Sequence, residues 1–303
     1  MGTFLTELAK KLAERWVTLL LTPGAIFVAA VGIGVRLGQP HAVDYSQLTA
    51  AVSQTAALVA HWSAGTQAVL VVAVLLAAIG VGQAVQALAS LTRLLWLGPW
   101  PHLFAPVQRW RVTRRRQRWQ EHIQQRRTLE QAHPRASRTA EQQEQINAAA
   151  QRANRFAWAQ PGRPTWMGDR IHALEQVALN RYGLDLTFSW PRLWLVLPDT
   201  TRSEIIAAHA AFAAAVATGT WAWPYLLLGI VWWPAALIAV AVGATGWARA
   251  RAAIADLTAL SEAAVDLHGR TLAIAFGVAE EDSIGPLTLT EGEQLTALIR
   301  KGR

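Results

Sequence analysis

The sequence contains no cysteine among its 303 residues. This excludes disulfide bonds, thiolate metal sites and cysteine nucleophiles. Its eight histidines do not occur at a metal-ligand spacing, and neither a glycine-rich phosphate loop nor a serine nucleophile elbow is present. Asp169, Glu175 and Asp185 are the carboxylates closest to a plausible cleft, and helix capping and solvent exposure account for them. These absences predict a protein that is not an enzyme, with no catalytic residue, no metal and no cofactor.

Apart from Arg36, charged residues are missing from three long apolar runs, at 16–37, 67–91 and 205–248. The first has 22 residues, uncharged until Arg36, and as a helix it would reach about 33 Å, enough to cross a hydrocarbon core of about 30 Å. It also exceeds the usual apolar core of a signal peptide, which disfavours cleavage. The third run is too long for one helix. It predicts two helices, with a turn between Trp221 and Pro234.

The distribution of Lys and Arg supports four crossings. Of 28 basic residues, three precede the first run, 18 lie between Arg93 and Arg202, and six follow the last run, while Arg36 alone lies at an outer end. Short loops rich in Lys and Arg stay in the cytoplasm. Because both flanks of 205–248 are basic, this run crosses an even number of times. Both chain ends and the insert between the second and third spans are therefore predicted to be cytoplasmic.

Apart from Arg36 at the end of the first, the predicted spans contain no Asp, Glu, Lys or Arg, which disfavours ion-coupled transport. His209 lies near a span end, where an interfacial role is commoner than proton relay. Small residues allow close approach between membrane helices. The sequence predicts helix packing, within the chain or between copies in a homo-oligomer, at five glycines of the first two spans: Gly24, Gly32, Gly34, Gly80 and Gly82.

A dense group of arginines follows the second span. These six are Arg109, Arg111, Arg114, Arg115, Arg116 and Arg118, and they accompany the tryptophans Trp96, Trp100 and Trp110. Basic residues beside a span attract anionic lipid headgroups at about 1 kcal/mol each. Contact with anionic membrane lipids or a protein partner is the favoured interpretation. Nucleic acid binding through phosphate contacts and stacking is disfavoured because no nucleic-acid fold surrounds the group. A solvated helix face that acts only as a topology signal is the third reading.

The predicted fold is all-α: a polytopic membrane protein with four transmembrane helices, an N-terminal amphipathic helix and a helical cytoplasmic insert. A proline at 134 should interrupt the insert, and Gly183 should cap a helix at 168–182. Two capping boxes are expected, at Thr201/Glu204 and Thr290/Glu293. The predicted segments are an interfacial helix at 1–15, two transmembrane helices at 16–91, a basic arm at 92–160, a Trp- and Pro-rich module at 161–204, two transmembrane helices at 205–248 and a helical tail at 249–303.

Several short motifs resemble a signature of uncharacterised actinobacterial integral membrane proteins. They are PTWMGDR at 164–170, YGLD at 182–185, WPRLW at 190–194, VDLH at 265–268, and the ending from Glu291 and Gly292 to Lys301 and Gly302. The resemblance covers roughly the C-terminal half of the chain. It implies a location in a bacterial plasma membrane and a common cytoplasmic module at 164–198, and it implies no catalytic residue.

Together these features predict a non-enzymatic membrane scaffold or adaptor, whose basic juxtamembrane segment contacts anionic lipid and an unknown cytoplasmic protein. The alternative is an oligomeric pore or channel-type effector, assembled through the glycines of the first two spans.

Overall fold

A computed structural model describes residues 22–300, and this part of the chain is helical with no strand. The all-α prediction is confirmed there. The predicted amphipathic helix at 1–15 and the beginning of the first span at 16–21 lie outside the described residues. The helices, numbered within the described range, are α1 (Thr22–Leu37), α2 (Tyr45–Ala60), α3 (Ala64–Leu97), α4 (Ala105–Ala132), α5 (Ala140–Phe156), α6 (Trp166–Tyr182), α7 (Leu186–Val196), α8 (Asp199–Thr220), α9 (Ala222–Leu228), α10 (Trp233–Ala275) and α11 (Leu289–Arg300).

Three helical stretches are long and apolar enough to cross a membrane: Ala64–Ala132, Asp199–Leu228 and Trp233–Ala275. The apolar part of the first is α3. The first predicted span contains α1, a shorter apolar helix whose 16 described residues cover about 24 Å. The structure therefore fits a multi-pass membrane protein.

The turn between the last two apolar helices lies inside the predicted interval. Helix α8 ends at Thr220, the short helix α9 follows, and residues 229–232 lead into α10. Gln39, just after α1, holds this turn. Its side-chain nitrogen donates to the Ile230 carbonyl at 2.7 Å, and its oxygen accepts from the Trp233 backbone at 3.2 Å. Because both ends of one amide are used, the turn is fixed against the end of α1.

Helix α2 was not predicted. It occupies the connection after the first span, where Asp44 caps it by accepting hydrogen bonds from the Ser46 and Gln47 backbones. Leu48, Val52 and Val59 of α2 line a cavity of about 520 Å³ against α1. The cap and this stripe are readable signals, but the alanine, serine and threonine between them weaken the helical pattern.

The chain divides into two compact units. Among the described residues, the first unit comprises 22–92 and Ala214–Arg249, and the second comprises Arg93–Ala213 and 250–300. In the first unit, Ala30, Tyr225, Leu228, Ala235 and Ala239 form a buried cluster beside Phe27 and Trp232. In the second unit, a larger core gathers residues of α6, α7, α10 and α11, with Leu184, Leu193, Leu272 and Leu295 fully buried.

The arm of the second unit is a helical hairpin of α4 and α5. Helix α4 ends at Ala132, Pro134 follows, and Thr139 starts α5 with a capping box completed by Gln142. The module after it contains α6, whose C-cap is Gly183 at φ 65°, as predicted. Residues 184–197, for which the sequence predicts turn and short helix with at most one strand, contain the helix α7 around Pro191, capped by Asp185.

Both capping boxes predicted near the third span and in the tail were wrong. Helix α8 already begins at Asp199, since the Pro198 carbonyl accepts the Arg202 backbone N–H at 3.0 Å. In the tail, the capping residues are Thr288 and Glu291, two residues earlier than predicted: the Thr288 backbone donates to Glu291 at 2.7 Å. The overlapping repeat of Thr and Glu offered two registers, and packing selected the first.

The sequence predicts one apolar stripe along the tail helix, at Ile254, Leu257, Leu260, Ala264, Leu267 and Leu272. Ile254, Ala264 and Leu272 of α10 are buried, whereas Leu267 is 74% exposed. At 3.6 residues per turn, Leu267 lies about 140° around the helix axis from the buried Ile254 and Leu272, so it faces outward.

Candidate functional site

Two of the six arginines after α3 are used to hold the arm in place. Arg115 donates from Nε to Asp169 Oδ2 at 2.6 Å and lies over the Phe156 ring, 4.9 Å from its centroid. Arg116 donates from Nε to the Pro161 carbonyl at 2.8 Å. These two side chains connect α4 to the segment that leads into α6, so they serve the folding of the second unit.

Asp169 is the centre of this connection. Its side chain is 3% exposed and accepts three hydrogen bonds, from Arg115, from the Gly162 backbone at 2.8 Å and from the Arg163 backbone at 2.6 Å. It also lies in the first turn of α6, where a carboxylate interacts favourably with the helix dipole. The sequence predicted helix capping or solvent exposure for Asp169, but its side chain is buried. Arg115 was not predicted as its partner, because no local pattern links positions 54 residues apart.

Three other arginines of the group form an exposed row on α4. Arg111, Arg114 and Arg118 follow one another at steps of three and four, which places them on one helix face. The Arg111 guanidinium lies 5.7 Å from the Trp100 ring centroid, and that of Arg114 lies 5.5 Å from Trp110. We call Arg111, Arg114 and Arg118 the arginine stripe.

The remaining predicted contact residues differ in their exposure and in their partners. Arg109 is exposed and its Nε donates to the Ala105 carbonyl at 3.4 Å, within its own helix. Trp100 is half-buried and donates to the Leu95 carbonyl at 3.1 Å, and Trp96 is half-buried in α3. Of the three predicted tryptophans, Trp110 is the most available, with 59% of its surface exposed.

A second cationic centre was not predicted. Arg170 of α6 lies over Trp158, 2.9 Å from the ring centroid, with Trp166 at 5.7 Å, and its Nε donates to Thr258 at 3.1 Å. Arg251 lies over Trp166 at 4.3 Å. Burial lowers the pKa of Arg170 to about 10, while Glu262 opposes this shift, so the side chain stays charged at neutral pH. Arginine over tryptophan is favourable, and more so when water is excluded.

An apolar groove of about 510 Å³ lies beside this centre, within the second unit. Its lining comes from four helices. The residues are Ile171 and Leu174 of α6, Trp190 and Trp194 of α7, Ile205, Ile206, His209 and Ala210 of α8, and Leu257, Thr258 and Ser261 of α10. Leu174, Ile205 and Thr258 are buried at the floor, whereas Ile206 is 57% exposed at the opening. The groove joins residues from distant parts of the sequence, so periodicity could not predict it.

The motif residues of the Trp- and Pro-rich module are used largely for packing. Tyr182 donates its hydroxyl to Asp266 at 2.6 Å. Burial, followed by this hydrogen bond, raises the pKa of Tyr182 to about 12. Gly292 packs against the Tyr182 carbonyl, where a side chain would not fit. Asp185 pairs with Arg300 at 2.7 Å. These contacts join the module to the tail.

The five glycines predicted to pack membrane helices have different environments. A Cβ on Gly24 would lie 3.1 Å from the Ala78 Cα and closer still to its carbonyl, so α1 and α3 approach closely there. Gly34 faces Trp232 and Leu228 and not α3, the second predicted span. Gly82 is buried in α3. Gly32 and Gly80 face open space.

One polar cluster is buried among the apolar helices of the first unit. Thr92 and Thr220 are each at most 2% exposed, with their hydroxyl oxygens 3.0 Å apart, and Trp223 donates from Nε1 to Thr92 at 3.1 Å. A hydrogen bond between α3 and α8 satisfies groups that apolar surroundings would leave unpaired. These hydrogen bonds stabilise the packing of the apolar helices, and no local pattern in the sequence predicted them.

Within residues 22–300, no three His, Asp or Glu side chains come together in a way that could hold a metal ion. Comparisons with known protein families, curated proteins and solved structures found no match for this chain. Its function must therefore be inferred from its own surfaces.

Proposed function

We propose that this protein is a non-enzymatic membrane scaffold or adaptor. Four transmembrane helices anchor it in a bacterial plasma membrane, with both chain ends in the cytoplasm. In this proposal, the arginine stripe contacts anionic lipid headgroups, and the rest of the arm is available to a cytoplasmic protein partner.

The arginine stripe carries the proposal. Arg115 and Arg116 fix the arm to the module, and Arg111, Arg114 and Arg118 stay exposed without any ion pair among the described residues. The stripe begins 14 residues after the end of α3, within the distance at which basic residues influence topology. Three arginines near an anionic surface contribute roughly 3 kcal/mol, which corresponds to an affinity change on the order of a hundredfold.

The polar face of α4 supports a second contact. Gln117, Gln120, Gln124 and Arg127 line a shallow concavity of about 680 Å³ along the arm. An exposed polar helix face binds partners through hydrogen bonds, and the hairpin holds this face in one conformation, so little ordering is needed on binding.

The lipid contact is tested by replacing the arginine stripe with glutamine in the full-length protein, reconstituted in nanodiscs. A fluorophore that responds to polarity is attached at Gln125→Cys, the chain's single cysteine. With phosphatidylglycerol, the unsubstituted stripe should bring the probe to the bilayer surface, and the shift should weaken with added salt because exposed charges are screened. The triple substitution should abolish the shift.

A matched control removes the same charge from the same arm. Arg127, Arg152 and Arg155 are exposed and lie outside the stripe. Their replacement by glutamine should leave most of the shift intact. An equal loss in both triple variants would show that only net charge matters and would reject the stripe as a binding surface.

The topology has its own test. Single cysteines at Thr55, Gln125 and Ala279 are treated in intact cells with a thiol reagent that does not cross membranes. Thr55→Cys should react from outside, and the other two should react only after the cells are opened. Labelling of Gln125→Cys or Ala279→Cys in intact cells would contradict the proposed orientation.

The partner contact is tested by thiol-directed crosslinking from Gln124→Cys in cells. One discrete adduct should form, and it should be absent with Thr271→Cys, an exposed position on α10. If the adducts are the same from both positions, the arm does not provide the contact surface.

A further inference from the structure

The groove of the second unit has the size and lining of a site for an apolar chain. Its volume of about 510 Å³ lies within the range of about 300 to 1,000 Å³ that is usual for ligand pockets. Leucine, isoleucine and tryptophan make up most of its wall. The Thr258 hydroxyl is already hydrogen bonded within the protein, because it donates to the Ile254 carbonyl at 2.8 Å and accepts from Arg170.

The position of the groove along α8 links it to the membrane. The long uncharged run of the sequence begins at Ile205, and Ile205, Ile206, His209 and Ala210 are in its first two turns. In the proposed topology, these turns lie at the level where headgroups meet acyl chains. Tryptophan is enriched at this level because its ring is amphipathic. Trp190 and Trp194 form the facing wall, with ring centroids 6.4 Å apart.

The charge beside the groove selects the headgroup. Arg170 uses Nε to bind the groove residue Thr258, and within residues 22–300 it has no ion pair. The rings of Trp158 and Trp166 fix the orientation of the Arg170 guanidinium. Glu262 is the charged neighbour that affects it, and it does not neutralise it by direct contact. A guanidinium held in this way can bind a phosphate through its two terminal nitrogens.

We propose that the groove holds one acyl chain of an anionic membrane phospholipid, with the lipid phosphate at Arg170. The lipid is thereby a bound component of the second unit, packed among α6, α7, α8 and α10. The inference rests on the proposed membrane location, and it is independent of the arginine stripe, which would contact the bilayer surface through exposed side chains.

The test is labelling by a photoreactive lipid. The full-length protein is reconstituted with phosphatidylglycerol that carries a diazirine on one acyl chain, and labelled peptides are mapped by mass spectrometry. Peptides that contain Trp190, Trp194 or Ile206 should be labelled. Ala210→Trp fills the opening of the groove and should reduce this labelling about tenfold. Ala211→Trp, an exposed neighbour outside the lining, should have no effect.

A second pair of measurements tests the headgroup. Phosphatidylcholine with the same diazirine chain should label the groove more weakly than phosphatidylglycerol, and Arg170→Gln should remove this preference. Soluble glycerol phosphate should not compete, because it lacks the acyl chain. A competition by glycerol phosphate alone would overturn the lipid assignment in favour of a small anion site.

Two further outcomes separate this inference from the proposed function. If the stripe substitutions abolish the probe shift while groove labelling persists, both sites exist independently. Equal labelling of the groove in the Ala210→Trp and Ala211→Trp variants would reject the groove as a lipid site, even if the stripe still binds lipid.

Discussion

The interactions within the first unit differ from those within the second. In the first unit the helices approach closely at Gly24 and Gly34, and one hydroxyl cluster at Thr92 supplies a buried polar contact. In the second unit charge is added to an apolar core: every ion pair among the described residues belongs to this unit. In the proposed topology the first unit lies in lipid and the second in water. The difference is expected there, because lipid gives helices little hydrophobic reason to associate, whereas water drives apolar side chains together.

This comparison also shows that glycine packing is common to both units. Gly168 faces the Leu97 carbonyl and Gly292 the Tyr182 carbonyl, both in the second unit. Close backbone approach is thus not confined to the apolar helices. What distinguishes the second unit is the placement of buried charge, with Asp169 as the clearest case.

The largest expected effect is on that buried charge. Asp169→Ala leaves the guanidinium of Arg115 and two backbone N–H groups without their acceptor. It should lower the free energy of unfolding by about 3 to 5 kcal/mol, the usual result of breaking a buried ion pair. The measurement is unfolding in mixed micelles at increasing SDS. Asp256→Ala, at an exposed position of α10, is the control and should change stability by less than about 0.5 kcal/mol.

Close approach in the first unit is tested by a smaller change. Gly24→Ala adds a Cβ that meets the Ala78 backbone, and it should destabilise the protein by about 1 to 3 kcal/mol. Gly32→Ala and Gly80→Ala face open space, and they should be neutral or stabilising by up to about 1 kcal/mol because alanine favours helix. The same micelle assay measures the loss of stability at Gly24 and any gain at Gly32 and Gly80. A uniform effect at all three glycines would show that packing against Ala78 is not what matters.

Removing the N-cap of the tail helix α11 should lower its stability by about 1 kcal/mol. Thr288→Ala removes the cap of α11 and should cost about that much local stability, whereas Thr290→Ala should cost less than half as much. Hydrogen exchange of the α11 amides in micelles distinguishes them. If Thr290→Ala increases exchange more than Thr288→Ala, the capping box predicted from the sequence is correct after all.

The smallest expected effect is spectroscopic and concerns Tyr182. Its pKa, raised to about 12 by burial and then by Asp266, exceeds the unfolded value of about 10. The hydrogen bond from the neutral Tyr182 hydroxyl to Asp266 thus contributes fully to stability below about pH 10. This contribution is lost as the pH rises through about 12. The near-ultraviolet absorbance titration should show this late step, and subtraction of the Tyr182→Phe titration isolates it among three tyrosines. Asp266→Asn should move the step to lower pH. A difference step near pH 10 instead of near 12 would contradict the buried hydrogen bond.

The sequence predicted much of the helical architecture because periodicity, capping residues and uncharged runs are local signals. The C-cap at Gly183, the break at Pro134 and the turn between Trp221 and Pro234 appear in the structure as predicted. Helix α2 was missed because its small polar residues conceal a weak stripe. The box at Thr290 failed because two registers were locally equivalent.

The candidate surfaces were predicted only in part. The six arginines were recognised as a group, but the sequence did not show that Arg115 and Arg116 are used for folding and that Arg111, Arg114 and Arg118 share an exposed face. The groove and the Arg170 centre were not predicted. Their residues come from four helices, and no pattern within one helix records what another helix places opposite it.

The sequence by itself thus determined the helical class, the apolar segments and the asymmetry of charge, since each depends on the composition and spacing of neighbouring residues. Tertiary structure alone decided which charges are buried and which stay exposed. That outcome depends on long-range pairs such as Arg115 with Asp169 and Arg170 with Thr258, which form only when the helices pack. In a chain with so many arginines, position in the fold separates those that stabilise it from those available to bind.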